Sequence, residues 1–115
     1  MKIGIDLDGT IDKYPDKFRM IIDELRGQGN YIYCITGTLN SDIDAALKGK
    51  VHKLDSLNIE IDETVVVRGK DVKEVARRKA IFCREKNIIM MIEDTELYLE
   101  EIKKYSPGTL GLLLK

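Results

Sequence analysis

The sequence has few of the residues that mark secreted, metal–thiolate or membrane proteins. It contains two cysteines among 115 residues, Cys34 in an apparent strand and Cys83 in an apparent helix. Two isolated thiols favour buried, reduced side chains over a disulfide framework or a thiolate metal site. No apolar run approaches the roughly 18 residues that a membrane helix needs, and no long apolar segment of a signal peptide opens the chain. These absences predict a cytoplasmic protein that does not associate with membranes.

An excess of charge of one sign is also missing. The chain has 19 basic and 20 acidic residues, so its net charge gives no general argument for binding nucleic acid or membranes. The single histidine, His52, lies among lysines in an apparent helix and has no partner that suggests catalysis. Apolar residues make up 43% of the chain, which is enough for one buried core. Since no linker or repeat is visible, we predict one domain over residues 1–115.

Apolar, β-branched segments alternate along the chain with helical patterns. Five strands are predicted, near residues 2–7, 31–35, 64–67, 88–92 and 109–114. Between them, helix starts are marked by four residues: Pro15, Ser41, Asp71 and Thr95. Strands that alternate with helices pair in parallel through right-handed crossovers. The predicted fold class is therefore a three-layer, Rossmann-like α/β sandwich with a five-stranded, mainly parallel sheet.

Two aspartates follow the first apolar run, in Ile3-Gly4-Ile5-Asp6-Leu7-Asp8-Gly9-Thr10. Two positions apart in an extended chain, Asp6 and Asp8 project to the same side and can reach one ligand. Carboxylates about 4 Å apart repel by roughly 4 kcal/mol at an effective dielectric constant of about 20, and a divalent metal relieves that repulsion. Gly9 permits a tight turn directly after the pair. The pattern predicts a phosphoryl-transfer site, and an ordinary Asp-Gly turn with two solvated acids is the alternative.

Two other predicted strands end in residues of related chemistry. The second strand ends at Thr36-Gly37-Thr38 and the fourth at Glu93-Asp94-Thr95. Each stretch alone is ordinary, because strand ends often carry turns and helix starts often carry acids. In doubly wound sheets, however, ligands bind beyond the carboxyl ends of the strands. A threonine hydroxyl with the next glycine N–H can bind a phosphate oxygen, and acidic side chains complete an oxygen-rich Mg²⁺ site.

Together these motifs resemble those of the haloacid dehalogenase-like (HAD) superfamily, mainly Mg²⁺-dependent phosphatases that work through an aspartyl-phosphate. Residues 6–10 look like its first motif, residues 35–37 like its second and residues 92–95 like its fourth. The resemblance spans the whole chain, and the first motif is its most specific part. It implies a fold of the predicted class and a phosphatase activity that requires Mg²⁺.

The resemblance also implies roles for individual residues. Asp6 is the expected nucleophile and a Mg²⁺ ligand, while Asp8 offers its backbone carbonyl to the metal and its carboxyl group as general acid and base. Asp94 is expected to bind Mg²⁺ directly, and Glu93 through a metal-bound water. The chemistry agrees, because attack by a carboxylate splits a difficult hydrolysis into two displacements. The proton-transfer task asks for a raised pKa of Asp8.

A phosphoryl group at this site would be held by Thr36, by the N–H of Gly37 and by a lysine that represents the third motif. Lys79 and Lys73 both compete for that place. Lys79 shares a helix face with apolar residues, which favours an inward side chain. A continuous helix would nevertheless set Lys79 about 12 Å from the helix start, far from the strand ends. We therefore expect Lys79 on a helix that starts late or is broken, while a merely solvated lysine stays an alternative.

No predicted connection is long enough for a cap domain. The resemblance is thus to a capless member, whose site is open or is closed by a second subunit of a homo-oligomer. A basic cluster follows the third strand and comprises Arg68, Lys70, Lys73, Arg77, Arg78 and Lys79. It would suit a polyanionic substrate such as a nucleotide or a nucleic-acid terminus, whereas a solvated helix face is the plainer interpretation.

The sequence therefore predicts a Mg²⁺-dependent phosphomonoester hydrolase that acts on a phosphorylated small molecule, with a nucleotidase as the favoured subtype. A receiver-type signalling domain is one alternative. Its phosphoacceptor should end the third strand, where this chain has Val67-Arg68-Gly69 and no carboxylate. A non-catalytic phosphate-binding module that keeps the fold is the other alternative, and it would bind metal without turnover.

Overall fold

Five parallel strands form one sheet in the computed structural model, which describes residues 1–115. The strands are β1 (Lys2–Ile5), β2 (Tyr31–Thr38), β3 (Glu63–Arg68), β4 (Met90–Glu93) and β5 (Leu110–Leu113). Their order across the sheet is β3-β2-β1-β4-β5, and every neighbouring pair is parallel. The chain therefore winds outwards from β1 in both directions, and the winding reverses where β1 meets β4.

Four helices connect the strands and cover both faces of the sheet. They are α1 (Pro15–Gly27), α2 (Ile43–Ser56), α3 (Val72–Glu85) and α4 (Glu96–Tyr105). On one face, Ile22 of α1 and Leu54 of α2 belong to a buried apolar cluster with β1 and β2. On the other face, Ala80 of α3 and Ile102 of α4 belong to a second cluster, which includes Met91 of β4. The predicted three-layer α/β sandwich without a cap domain is confirmed.

The alternation of side chains in β2 explains why two helical layers are needed. Ile32 and Cys34 join the cluster under α1 and α2, whereas Tyr33 and Ile35 join the cluster under α3 and α4. Successive strand residues point to opposite faces, so a strand that is apolar at every position must be covered on both. A run of such residues is therefore stable only in the middle of a sandwich, which is where β2 lies.

The strand and helix limits differ from the predicted ones by a few residues. β1 ends at Ile5, so the aspartates that follow lie in a loop rather than in the strand. Helix α2 is capped by Asp42, whose side chain accepts a hydrogen bond of 3.0 Å from the N–H of Ala45, and not by Ser41. Asp71 caps α3 as expected, through the N–H of Glu74 at 2.8 Å. An aspartate is at least as good a cap as serine, which explains the shift in α2.

Both cysteines are buried and unpaired, as the sequence predicts. Burial raises the pKa of Cys34 to about 12 and that of Cys83 to about 12, so neither thiol is a reactive thiolate at neutral pH. None of the four helices combines the length and the apolar character that a membrane crossing requires.

The turn between β3 and α3 depends on a close backbone approach at Gly69. A Cβ atom at this position would lie 2.7 Å from the backbone nitrogen of Val75 and 3.0 Å from the carbonyl oxygen of Asp71. Backbone atoms of a helix start cannot move aside as a flexible side chain can. By contrast, a Cβ atom at Gly49, in the exposed middle of α2, would meet nothing within 4 Å.

These two glycines should respond in opposite ways to replacement by alanine. We expect Gly69→Ala to lower the free energy of unfolding by about 1–3 kcal/mol, because the added methyl group overpacks the turn. Gly49→Ala should raise it by about 0.5–1 kcal/mol, because alanine is the better helix former. Urea unfolding measures both, and a Gly69→Ala protein as stable as the parent would contradict the described turn.

Candidate functional site

The loop between β1 and α1 is a wide turn that lies against the end of β4. It is closed by hydrogen bonds from the N–H of Ile11 to the carbonyl of Asp6 and from the N–H of Asp12 to the carbonyl of Leu7. Inside it, Gly9 has a φ of +80°, a conformation that other residues rarely adopt. A Cβ atom at Gly9 would collide with the carboxylate of Asp94. Glycine is therefore required here both for the turn and for the approach of Asp94.

Three carboxylates meet at the carboxyl ends of β1 and β4. Oxygens of Asp6, Glu93 and Asp94 all lie within 4.8 Å of one another. The backbone sets this arrangement, because the N–H of Asp6 donates to the carbonyl of Ile92 at 3.0 Å and so aligns the two strand ends. Asp6 and Glu93 are buried, whereas Asp94 is exposed. The hydroxyl of Thr10 donates to Oδ2 of Asp6 at 3.2 Å and holds that side chain in place.

Lys79 supplies the one positive charge that touches this carboxylate cluster. Its Nζ donates to Oδ1 of Asp6 at 2.8 Å and to Oε1 of Glu93 at 2.9 Å. The side chain is 1% exposed, and its Nζ lies 4.4 Å from the ring centroid of Tyr98. Lys79 thus joins α3 to the ends of β1 and β4 through buried ion pairs.

Helix α3 reaches the site in a way that the sequence analysis did not anticipate. The helix runs unbroken from Val72 to Glu85, so the expectation that Lys79 lies on a late or broken helix was wrong. Side chains on a helix point back towards its N-terminus, and the four-carbon stem of lysine is long. The ammonium group therefore lies closer to the N-terminus of α3 than the Cα atom of Lys79 does. A distance calculated from the helix rise alone leaves out this reach of the side chain.

The charges of the cluster do not balance. Three carboxylates face one ammonium group, and Oε2 of Glu93 is buried without any hydrogen-bond partner. Burial raises the pKa of Asp6 and raises that of Glu93 to about 8, although Lys79 opposes both shifts. Burial acts against the charge of Lys79 as well, but Glu93 and Asp6 outweigh it and raise the pKa of Lys79. The acidic groups of the site therefore outnumber its one basic group, which favours the binding of a further cation.

Asp8 turns towards α2 and lies outside the carboxylate cluster. Its carboxylate accepts hydrogen bonds from Lys50, from Lys53 at 2.8 Å and from the hydroxyl of Thr36 at 3.4 Å. The rule that residues two apart share a side does not apply, because β1 has already ended at Ile5. Burial would raise the pKa of Asp8, but the hydrogen bonds from the two lysines outweigh it and lower that pKa. A lowered pKa is the opposite of what a general acid needs.

Lys50 and Lys53 are the residues that the sequence analysis missed. They were noted only as lysines around His52, whereas both reach Asp8, and Lys53 also reaches Asp12 at 2.7 Å. Their i, i+3 spacing on the helix after β2 was the available signal. Nothing in the sequence, however, tells which face of that helix points to the strand ends.

The remaining predicted residues lie around these groups. Thr36 is fully buried beneath Asp8, and Gly37 packs so closely on Val75 of α3 that a Cβ atom would collide with that side chain. Lys73 is exposed on α3 and makes no ion pair. Of the basic cluster, only Lys79 enters the site; Arg78, for instance, pairs with Glu74 at 3.0 Å on the surface. The positive charge of α3 is therefore divided between the site and the helix surface.

The ion pairs of Lys79 should dominate the stability of this edge of the sheet. In the absence of added metal we expect Lys79→Met to lower the free energy of unfolding by about 3–5 kcal/mol, because it leaves two buried carboxylates without a partner. Lys73→Met, an exposed change on the same helix, should alter it by less than about 0.5 kcal/mol. Urea unfolding in EDTA compares the two, and equal stabilities of the variants would show that Lys79 does not hold these carboxylates.

Comparison with known proteins finds a similar fold but no matching sequence family. No protein-family model matches the chain, and no curated protein matches it. Among solved structures, the chain is similar to a protein from the universal stress protein family of Burkholderia pseudomallei. That likeness has a TM-score of 0.55 and 13% sequence identity and covers 98% of this chain and 94% of the other. At this identity the likeness shows the fold alone.

This finding corrects the resemblance drawn from the motifs. The structural match is to a universal stress protein, so the assignment to the HAD superfamily was wrong, and with it the predicted HAD-type phosphomonoester hydrolase. The roles that it implied, a nucleophile at Asp6 and an acid and base at Asp8, lose that support. The motifs misled because each is three to five residues long. Glycines after strands and acids at helix starts recur in any parallel sheet of this kind.

Proposed function

We propose that this domain binds Mg²⁺ through Asp6, Glu93 and Asp94 and that the bound cation helps it to bind a phosphorylated ligand. The carboxylate cluster is the observation that carries the proposal: three side chains offer oxygens within 4.8 Å of one another. Oε2 of the buried Glu93, which has no hydrogen-bond partner, is a second and independent indication. Hydrolysis is not part of the proposal.

The chemistry of the cluster suits a hard divalent cation such as Mg²⁺ better than a thiophilic metal. All its donors are carboxylate oxygens, which hard divalent cations prefer, and both cysteines lie outside it. With its three carboxylates ionised and Lys79 protonated, the cluster carries a net charge of −2, which one divalent cation balances. Asp94 is exposed, so water can complete a coordination shell on that side.

The phosphate part of the proposal rests on the groups beside the cluster. Lys50 and Lys53 bring two ammonium groups to the carboxylate of Asp8, and both are partly exposed. Thr36 and Gly37 lie near the end of β2, at the same edge of the sheet. Cations and hydroxyl donors that converge next to a bound metal are the usual setting for a phosphate group. Lys79 is not assigned to the phosphate group, since both of its hydrogen bonds go to the carboxylates of Asp6 and Glu93.

The two buried, unpaired thiols support a reducing environment for this domain, and we include a cytoplasmic location in the proposal on that ground.

Removal of Asp94 should abolish tight Mg²⁺ binding without harm to the fold. We expect Mg²⁺ to raise the thermal midpoint of the parent protein, because a ligand that binds only the folded state stabilises it. Asp94→Asn should weaken Mg²⁺ binding at least about tenfold, as measured by calorimetry, while its midpoint in EDTA stays near that of the parent. Glu96→Gln, an exposed change two residues further on, should bind Mg²⁺ as the parent does.

Inorganic phosphate extends the same experiment. It should raise the midpoint further in the presence of Mg²⁺ and have no such effect in EDTA. A parent protein whose midpoint ignores Mg²⁺, or an Asp94→Asn protein with unchanged affinity, would refute the cation site; a phosphate effect that is independent of Mg²⁺ would refute the coupling.

A further inference from the structure

A small apolar cavity lies next to the proposed binding site. Its volume is about 160 Å³, and six residues line it: Gly37, Thr38, Leu39, Val72, Val75 and Tyr98. They come from the end of β2 and from the first turns of α3 and α4, which are the same edge of the sheet as the carboxylate cluster. No charged side chain belongs to this lining.

The cavity and the cation site share a wall. Tyr98 lines the cavity, and its ring centroid lies 4.4 Å from Nζ of Lys79, the group that bonds to Asp6 at 2.8 Å. Gly37 also lines the cavity and directly follows Thr36, whose hydroxyl bonds to Asp8. A ligand whose phosphate group lies at the end of β2 beside the cluster would therefore have the cavity next to it.

The rim of the cavity is apolar although it faces solvent. Leu39 is 56% exposed and Val72 is 49% exposed. Covering such side chains with an apolar group is favourable, because it removes their surface from water. The volume matches one aromatic ring, since an enclosed apolar cavity of about 150 Å³ holds one benzene molecule. A nucleoside is larger, and the several polar groups on the edge of its base would find only the hydroxyls of Thr38 and Tyr98 among the lining side chains.

We propose that the ligand of this site is a phosphate monoester of a single apolar ring, an aryl phosphate, with the ring in the cavity against Leu39, Val72 and Tyr98. This inference rests on the proposed function, because the phosphate group is the part that the cation site binds. The ring distinguishes this ligand from other phosphate esters. The bound cation supplies most of the positive charge that faces its phosphate group.

Calorimetry in Mg²⁺ with four probes tests the proposal. The probes are inorganic phosphate, glycerol 3-phosphate, phenyl phosphate and adenosine monophosphate. We expect phenyl phosphate to bind at least about tenfold more tightly than glycerol 3-phosphate, which has the same charge but a polar body. Adenosine monophosphate should bind more weakly than phenyl phosphate. The double variant Leu39→Ser/Val72→Ser should reduce the preference for phenyl over glycerol phosphate to about threefold or less and leave the affinity for inorganic phosphate unchanged.

A matched control removes an exposed apolar side chain elsewhere. Met20, which is 74% exposed on α1, lies outside the cavity lining, and Met20→Ser should keep the full preference for phenyl phosphate. Equal affinities for phenyl and glycerol phosphate, or a preference that survives the double variant, would overturn the inference and leave the proposed function intact. Tighter binding of adenosine monophosphate would replace the aryl ligand with a nucleotide. Absence of Mg²⁺-dependent binding of inorganic phosphate would instead overturn the proposed function itself.

Discussion

The ion pairs of Lys79 join three parts of the chain that are far apart in sequence. One ammonium group from α3 bonds to Asp6 after β1 and to Glu93 at the end of β4. All three groups are buried, so each loses the hydration that a charge has in water, and the pairs repay that loss only while all partners are present. The positions of the strand ends and of the loop around Gly9 therefore depend on one another.

The same arrangement explains why this edge of the sheet is suited to binding. A helix layer brings one positive charge, whereas two adjacent strands bring three negative ones. Asp8 does not add to this excess, because Lys50 and Lys53 of α2 neutralise it on the opposite side of the sheet end. The negative surplus of the carboxylate cluster thus lies at the same edge of the sheet as two ammonium groups that are paired with Asp8 and Asp12. A cation bound at the cluster would attract an anion to this edge, which is what the proposed function requires.

The sequence predicted the fold more completely than it predicted the site. Strict apolar runs such as Tyr31 to Ile35 can be stable only inside a sandwich, so the layers and the parallel sheet followed from pattern alone. The same pattern predicted that Asp6, Glu93 and Asp94 lie at one edge of the sheet, since the carboxyl ends of parallel strands meet there. It failed for the direction of Asp8 and for the helix that carries Lys79, because a backbone periodicity does not describe where a side chain turns or how far a long one reaches. The short motifs did not identify the family correctly, since many parallel sheets have the same glycines and acidic residues at their strand ends.

Crystals soaked in Mn²⁺, a cation of similar ligand preference that gives an anomalous signal, provide the most direct test of the central claim. The account predicts one strong anomalous peak within coordination distance of carboxylate oxygens of Asp6, Glu93 and Asp94, with Lys79 still bonded to Asp6 and Glu93. A strong peak elsewhere, for example between Asp8 and Asp12, or no peak in a crystal that keeps the described arrangement of side chains, would contradict it.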